Sequence, residues 1–289
     1  MTIVESLTWA NNKLKDQSNV DAPMLDAQLL LAKVLDVSKN YLFTHFSQEL
    51  TEAQFDRFEL LTERRRHHEP LAYIVGWKEF YNRPFKVSNF VLIPRPDTET
   101  LIDEAKRLSA GAKDALFIDI GTGSGAIAVT LAAETRLPVL AVDVSSEALV
   151  IAEQNARLHE VADRVTFLHG SLIDPIKPEM TKSLGEVIIC ANLPYLTSRQ
   201  LGMAPNEVRD YEPALALDGG VDGLDIYNEF FRQLAARRLD FPKKLTVLIE
   251  IDPDQRDSAP RLIQQYFPQT ETQCVDDLSH RPRVVVTAI

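Results

Sequence analysis

Apolar residues near the N-terminus recur at helical spacing and do not alternate as they would in a strand. The clearest series are Leu25, Leu29, Leu30 and Val34, and then Phe55, Phe58 and Leu61. This spacing predicts a small helical bundle, which we assign to residues 1–72. Ser47 or Thr51 is expected to cap its last long helix, which ends in the basic run 64–68.

The pattern changes at residue 73, where β-branched and aromatic residues are interrupted by the turn formers Asn82-Arg83-Pro84. This predicts a β-hairpin linker over residues 73–93. Two prolines within residues 94–96 end its second strand, and residues 97–99 lead into a helix.

Short apolar runs alternate with helical patterns from residue 94 to residue 289. The predicted strands are 115–120, 139–144, 165–169, 186–191, 245–252, 272–275 and 283–288. The predicted helices between them are 125–134, 146–159, 221–239 and 254–266. Alternation of this kind predicts an α/β domain with a parallel sheet covered by helices on both faces. The last two strands have no helix between them and should form an antiparallel hairpin at one edge.

Composition and charge narrow the class of protein. The chain has 31 basic and 42 acidic residues, a net charge of −11, which argues against a protein that holds nucleic acid by bulk charge. No segment approaches the roughly 18–20 apolar residues of a membrane span. Two cysteines are too few for a disulfide scaffold. We therefore expect a cytoplasmic protein with no direct nucleic-acid or membrane partner and no metal site.

A glycine-rich turn follows the first strand of the predicted sheet and precedes a helix. Its residues are Gly121, Thr122, Gly123, Ser124 and Gly125, and Asp119 comes just before them. Glycines let the backbone turn tightly and approach a ligand, and the N–H groups at a helix start suit anionic or polar atoms. The turn predicts a nucleotide or nucleoside site, of the kind that dinucleotide oxidoreductases also build.

Asp143 ends the second strand, 22 positions after Gly121. A carboxylate at this place can accept hydrogen bonds from both ribose hydroxyls of a nicotinamide dinucleotide or of S-adenosylmethionine. The same residue would serve equally as a helix N-cap, since Ser145 and Ser146 follow and are also good caps.

The tetrapeptide Asn192-Leu193-Pro194-Tyr195 follows the fourth strand, beside the first strand if the sheet is doubly wound. It resembles the Asn-Pro-Pro-Tyr signature of methyltransferases that alkylate an amide or amino nitrogen. The resemblance implies that the Asn192 carboxamide oxygen and the Leu193 backbone carbonyl accept the N–H bonds of the target NH₂, while Tyr195 packs against its planar group. Two fixed acceptors orient a poorly nucleophilic nitrogen without a general base.

Nearly the whole chain resembles the HemK/PrmC family of protein-(glutamine-N5) methyltransferases. The segments that carry the resemblance are residues 69–76, 91–99, 119–128, 192–195, 211–220 and 222–224. It implies a class I, Rossmann-like methyltransferase domain over residues 94–289 that uses S-adenosylmethionine. The implied substrate is the glutamine of the Gly-Gly-Gln motif in class I peptide chain release factors, with the N-terminal domain helping to hold the release factor.

The resemblance also implies roles for single residues. Cofactor contacts fall on Gly121 to Gly125, Asp143, Leu172 and Asn192, and substrate contacts and catalysis fall on Asn192 to Tyr195.

The chain departs from the family pattern at three positions. Leu193 replaces a proline, Ser171 replaces an acidic residue that would meet the adenine, with Asp174 nearby, and Asp252 replaces the glycine after Glu250-Ile251. Leucine supplies a backbone carbonyl as well as proline does, so Leu193→Pro is expected to preserve or modestly raise turnover.

Three alternatives share part of this pattern. A nucleic-acid amino-methyltransferase would share the tetrapeptide, a nicotinamide-dependent oxidoreductase would share the glycine turn, and a noncatalytic S-adenosylmethionine-binding relative would explain Leu193 as decay of the motif.

Overall fold

The computed structural model describes residues 1–16, 20–112 and 114–289. The chain divides into two compact units. The helical unit consists of Met1–Trp77 with Ala204–Tyr211, and the sheet unit consists of Lys78–Met203 with Glu212–Ile289. The boundaries placed at residues 72 and 93 from the sequence stay predictions.

The elements follow the order helices, hairpin, then alternating strands and helices. The α-helices are α1 Ile3–Leu14, α2 Pro23–Leu35, α3 Lys39–Thr44, α4 Glu52–Arg66, α5 Leu71–Val75, α6 Glu99–Leu108, α7 Ala126–Thr135, α8 Ser146–Leu158, α9 Ser198–Met203, α10 Asn206–Arg209, α11 Asp225–Ala236 and α12 Ser258–Tyr266. The strands are β1 Trp77–Phe80, β2 Arg83–Lys86, β3 Ala115–Ile120, β4 Val139–Asp143, β5 Val165–His169, β6 Glu186–Ala191, β7 Lys244–Glu250, β8 Thr272–Asp276 and β9 Pro282–Ala288.

The helical unit packs α1, α2 and α4 around an apolar core that includes Leu30 and Phe58. Thr51, and not Ser47, caps α4, because its side chain accepts from the Gln54 N–H. Two polar contacts join residues 204–211 to the rest of this unit. Arg65 pairs with Glu207 at 3.0 Å, and the Tyr211 hydroxyl donates to the backbone oxygen of His67 at 2.6 Å.

The hairpin is shorter than its predicted span. Residues 71–75 are helical, and the second strand ends at Lys86, well before residue 93. Its turn lies at Tyr81 and Asn82, which both have positive φ, as the tight turns that match strand twist require. The apolar residues Val91 and Ile93 are buried in a loop. Their apolar character therefore reflects burial and not pairing in a strand.

The sheet unit contains one seven-stranded sheet in the order β5-β4-β3-β6-β7-β9-β8. Strands β3 to β7 are parallel, and β9 runs antiparallel to both of its neighbours, which confirms the predicted edge hairpin. The helix predicted over 221–239 begins only at Asp225, because Gly223 has a φ of +76° and ends any earlier helical run.

Strands β3 and β6 are buried along their whole length, and they lie side by side with Ile120 opposite Ala191. The chain winds outward to β4 and β5 on one side and to β7 on the other. The carboxyl ends of β3 and β6 therefore flank the switch point of the sheet, where ligands bind in open α/β folds. Among the described residues, no helix has the length and apolarity to cross a membrane.

Candidate active site

A cavity of about 420 Å³ opens at the carboxyl ends of β3, β4 and β6. It brings together most of the site residues expected from the sequence, namely Gly121, Thr122, Gly123, Ser124, Asp143, Leu172, Asn192, Leu193 and Pro194. The described lining does not include Gly125 or Tyr195. It adds side chains that local sequence did not single out, namely Phe90, Arg95, Thr98 and Leu215.

The glycine turn is held against β4 by its own backbone. The N–H groups of Gly121 and Thr122 both donate to the Val142 carbonyl at 2.9 Å. The Gly123 N–H donates to Asp143 Oδ2 at 2.7 Å, and no atom outside Gly123 and its two chain neighbours lies within 4 Å of the place where a Cβ of Gly123 would be. The middle of the turn therefore leaves room for a ligand.

Asp143 is not the cap of α8, because Ser145 fills that role by accepting from the Ala148 N–H. The Asp143 carboxylate accepts from Gly123 and, at 2.9 Å, from the Ser145 N–H. Burial raises the pKa of Asp143. Each carboxylate oxygen has a second lone pair, so this residue keeps the capacity to accept from a ribose.

Asp119 lies beneath the turn and is completely buried. Its Oδ2 accepts from the Thr122 hydroxyl at 2.6 Å and from the Ala128 N–H at 3.1 Å. Its Oδ1 has no hydrogen-bond partner within the described part of the chain. Burial raises the pKa of Asp119 to about 7.

We call Asn192–Tyr195 the acceptor loop. The Asn192 Nδ2 donates to Thr98 Oγ1 at 3.1 Å, so the carboxamide nitrogen is engaged within the protein. The Leu193 N–H donates to the Tyr227 hydroxyl at 3.1 Å, and that hydroxyl donates to the Glu250 backbone oxygen at 2.6 Å. The backbone of the loop is thus tied to α11 and β7.

Tyr195 points to the buried end of β7. Its hydroxyl donates to Glu250 Oε1 at 3.1 Å, and burial raises its pKa. The sequence placed Tyr195 against the substrate, whereas its ring lies outside the described lining of the cavity. The Glu250 carboxyl is fully buried, and burial raises its pKa to about 7.

Residues 219–223 pack closely on the backbone of the acceptor loop. A Cβ on Gly223 would lie 2.2 Å from the Tyr195 carbonyl oxygen, so only glycine fits there. Gln255 Nε2 donates to the carbonyls of Tyr195 and Gly223, each at 3.1 Å. Asp252 caps the short turn that carries Gln255. Since Asp252 has a φ of −66°, this position does not require the glycine that is usual in the family.

The segments around Arg95 and Glu212 meet at the cavity, although they lie far apart in the chain. Arg95 forms an ion pair with Glu212, whose side chain is only 1% exposed, and Glu212 also accepts from the Ile93 N–H at 3.1 Å. The only indication of this ion pair in the sequence was that residues 91–99 and 211–220 both resemble segments of the family.

The residues after β5 place Ser171 and Leu172 in the cavity wall, and Leu172 has a φ of +50°. Asp174 is exposed and lies outside the described lining. Ser171 is therefore better placed than Asp174 to meet an adenine.

Comparison with known proteins agrees with this geometry. The PrmC N-terminal domain model matches residues 5–76, and a methyltransferase domain model matches residues 117–211. A release factor glutamine methyltransferase of Bacillus cereus is 34% identical over 99% of this chain and 98% of its own length. One of Koribacter versatilis is 37% identical over 99% and 98%.

The chain belongs to the release factor glutamine methyltransferase family. The resemblance, the methyltransferase fold and the cofactor expected from the sequence are thereby confirmed. The hMettl16 catalytic domain in complex with a 3′UTR hairpin has the same fold, with a TM-score of 0.54 at 14% identity over 82% of this chain and 81% of that one.

The residues of the cavity fit S-adenosylmethionine, the cofactor of this family. The cavity volume lies within the range of small-molecule sites, roughly 300–1,000 Å³. The open glycine turn, the Asp143 carboxylate and the apolar Leu172 suit the polar and flat parts of a nucleoside. The predicted absence of a metal stays a prediction. The described residues contain no cluster of three or more His, Cys, Asp or Glu that could hold a metal ion.

Proposed function

We propose that this protein methylates the side-chain amide nitrogen, N5, of the glutamine in the Gly-Gly-Gln motif of class I peptide chain release factors. Relatives named release factor glutamine methyltransferase that match over almost the full length support this substrate. Because release factors act on the ribosome, we also propose a cytoplasmic location and a role for the helical unit in holding the protein substrate.

The observation that carries the proposal is the orientation of Asn192 at the cavity wall. Its carboxamide nitrogen is bound to Thr98, so its Oδ1 is the atom left to accept a hydrogen bond. Leu193 lines the same cavity and supplies a backbone carbonyl next to it. Two neighbouring neutral acceptors match the two N–H bonds of a primary amide.

Asn192 and Leu193 would act by position and not as bases. When bound, S-adenosylmethionine would supply an electrophilic methyl group, whose bond to sulfur breaks as its bond to the amide nitrogen forms, and the methylated amide would release one N–H proton. Asn192 Oδ1 and the Leu193 carbonyl would hold the two N–H groups, turn the nitrogen lone pair toward that methyl and limit its delocalisation into the amide. Orientation of this kind in a water-poor site is a large source of rate enhancement. Asp143 and the glycine turn would hold the nucleoside.

The test is incubation with labelled S-adenosylmethionine and a bacterial class I release factor, followed by mass spectrometry of the Gly-Gly-Gln peptide. One methyl group should appear on the glutamine, and Asn192→Ala should lower the rate by about 10²–10³-fold. Asn228→Ala, an exposed asparagine on α11, is the matched control and should transfer methyl at the wild-type rate. Label in RNA or DNA, with none in the release factor, would refute the substrate.

A further inference from the structure

Gln255 is a buried glutamine in the short turn that follows β7, and its side chain joins three segments of the backbone. It is 5% exposed and lies outside the described lining of the cavity. Its Nε2 donates to the carbonyl of Tyr195, 60 positions earlier in the chain, and to the carbonyl of Gly223, each at 3.1 Å. Its Oε1 accepts from the Asp252 N–H at 3.0 Å. The carboxamide therefore uses both of its donors and its acceptor on backbone groups.

These partners fix the orientation of the Gln255 carboxamide. A flipped amide would place its oxygen against two carbonyls and its nitrogen against an N–H, so only one orientation makes the hydrogen bonds. The Asp252 side chain caps the same turn and so holds the N–H that Gln255 accepts from. Gly223 allows the close approach, since a Cβ there would lie 2.6 Å from Gln255 Nε2. The amide is anchored at its oxygen and offers both N–H groups to the neighbouring backbone.

The acceptor loop is attached at both ends to β7 and the turn that follows it. The residue before the loop, Ala191, pairs with Ile249 in the sheet. The last residue of the loop, Tyr195, is bound through its carbonyl by Gln255. The end of β7 and its turn therefore set where the loop begins and where it ends.

The Leu193 carbonyl depends closely on these attachments. It belongs to the same planar peptide unit as the nitrogen of Pro194, which carries no hydrogen, so that unit has no N–H to bind. On one side of the unit, the Leu193 N–H donates to the Tyr227 hydroxyl at 3.1 Å. On the other side, the Tyr195 carbonyl accepts from Gln255 at 3.1 Å. The direction of the Leu193 carbonyl is therefore set from both sides, and Gln255 supplies the second attachment.

We propose that Gln255 is a positioning residue that fixes the Leu193 carbonyl, one of the two acceptors for the substrate amide, by holding the Tyr195 carbonyl at the end of the acceptor loop. The inference rests on the proposed function and extends it to a residue outside the cavity lining. Without the N–H groups of Gln255, the Tyr195 carbonyl loses this partner, and the Leu193–Pro194 peptide unit can turn away from the substrate N–H.

The kinetic test uses two substitutions of similar size at position 255. Gln255→Met removes the carboxamide, and Gln255→Glu keeps an acceptor for the Asp252 N–H but, when ionised, has no hydrogen to donate. Both should lower kcat about 10- to 100-fold, because misplacement of a catalytic group by about 1 Å can have an effect of that size. The KM for the release factor and the Kd for S-adenosylmethionine should each change less than about twofold, since Gln255 does not line the cavity.

The matched control is Thr181→Val, in the segment before β6. Thr181 is also fully buried, and its hydroxyl donates to the Asp240 carbonyl at 2.6 Å, so the control also removes a buried bond to a backbone carbonyl. Thr181 and Asp240 precede the parallel strands β6 and β7, at the end of the sheet opposite to the acceptor loop. Thr181→Val should keep the wild-type kcat.

An unchanged kcat in a folded variant at position 255 would overturn the proposal, and so would an equal loss in Thr181→Val. If one of the two variants at position 255 does not fold, the other gives the same test of the same residue.

A second measurement needs neither cofactor nor substrate. Hydrogen exchange followed by mass spectrometry reports on a peptide that covers residues 192–198, in which the Leu196 N–H donates to the Leu217 carbonyl at 3.2 Å. Because the loop loses an attachment, this peptide should exchange about tenfold faster in Gln255→Met than in wild type or Thr181→Val.

Exchange in β6 should be the same in all three proteins, since the sheet keeps its own hydrogen bonds. Equal exchange of the loop peptide in all three would contradict the attachment through Gln255. A wild type that fails to methylate release factors would refute the proposed function, while the exchange measurement would still decide whether Gln255 holds the acceptor loop.

Discussion

The side chain of Leu193 fills the space beside Gly121. A Cβ on Gly121 would lie 3.0 Å from Leu193 Cδ2, and Leu193 is only 4% exposed. Gly121 also has a φ of +74°, a conformation that residues with a Cβ adopt at a cost. The glycine turn and the acceptor loop are therefore packed directly against each other.

Gly121→Ala should lower the free energy of unfolding by about 2–3 kcal/mol, through backbone strain and overpacking against Leu193. Gly111→Ala is the matched control, since Gly111 has a φ of +81° and no atom within 4 Å of its Cβ position. Gly111→Ala should lower the free energy of unfolding only by the cost of backbone strain, about 1 kcal/mol. Urea denaturation measures both, and equal losses would show that Leu193 contributes nothing.

Asp143→Ala should weaken S-adenosylmethionine binding by roughly 1.5–3 kcal/mol, the scale of hydrogen bonds to a charged group. Calorimetry measures the change in affinity. Asp174→Ala removes an exposed carboxylate outside the described lining and should leave the affinity unchanged. A folded Asp143→Ala protein that binds the cofactor as tightly as wild type would exclude Asp143 from the site.

Asp119 should make stability depend on pH. Burial raises its pKa from 3.8 to about 7. Between these values the unfolded chain has released the proton while the folded protein keeps it, so stability falls as the pH rises through this window. The loss should be about 4 kcal/mol, because the pKa shift of about three units counts about 1.4 kcal/mol per unit.

Asp119→Asn cannot titrate and should reduce this slope between pH 4 and 7. Asp163→Asn, a change at an exposed aspartate, should retain the wild-type slope. Denaturation midpoints across this pH range give the comparison, and parallel curves for wild type and Asp119→Asn would rule out a buried titration at this residue.

The structure changes what is expected of Leu193→Pro. Proline has no N–H to donate to the Tyr227 hydroxyl, and it fills less of the space beside Gly121 than leucine does. We therefore expect a loss of about 1–2 kcal/mol in stability, whereas the expectation from the sequence concerned turnover and stays a prediction. Thermal unfolding of the variant is the measurement, and an unchanged or higher Tm would contradict the expected loss.

Arg65 gives a test within the helical unit. It pairs with Asp26 at 2.8 Å and with Glu207 at 3.0 Å, and the side chains of Arg65 and Asp26 are 7% and 10% exposed. Asp26→Ala should cost about 2–4 kcal/mol, because it leaves a buried cation short of one partner. Glu207→Ala, which removes a partner 33% exposed, should cost less than about 1 kcal/mol. The reverse order in urea denaturation would contradict this ranking.

Local sequence patterns predicted the strands and motifs that depend only on residues close together in the chain. Strands β3 and β6 have the predicted bounds, because a strand buried on both faces is a continuous apolar run. The glycine turn and the acceptor loop were also visible, since each motif lies within a few residues.

The partners of these motifs were not visible from local sequence. Asn192 meets Thr98 across 94 positions and Tyr195 meets Glu250 across 55, and no periodicity reports such pairs. The hairpin was predicted too long for a related reason. Apolar residues such as Val91 are buried in a loop, and an apolar pattern by itself does not distinguish a buried loop from a strand.

The helical unit is not a contiguous piece of the gene. Its last polar contacts come from residues 204–211, encoded well after residue 77, where its first stretch ends. A fragment cut at residue 77 would lack the Glu207 carboxylate beside Arg65 and the Tyr211 hydroxyl on His67. Exchange of this unit between relatives by recombination would therefore have to transfer two separate stretches of coding sequence together, or leave Arg65 with a partner missing.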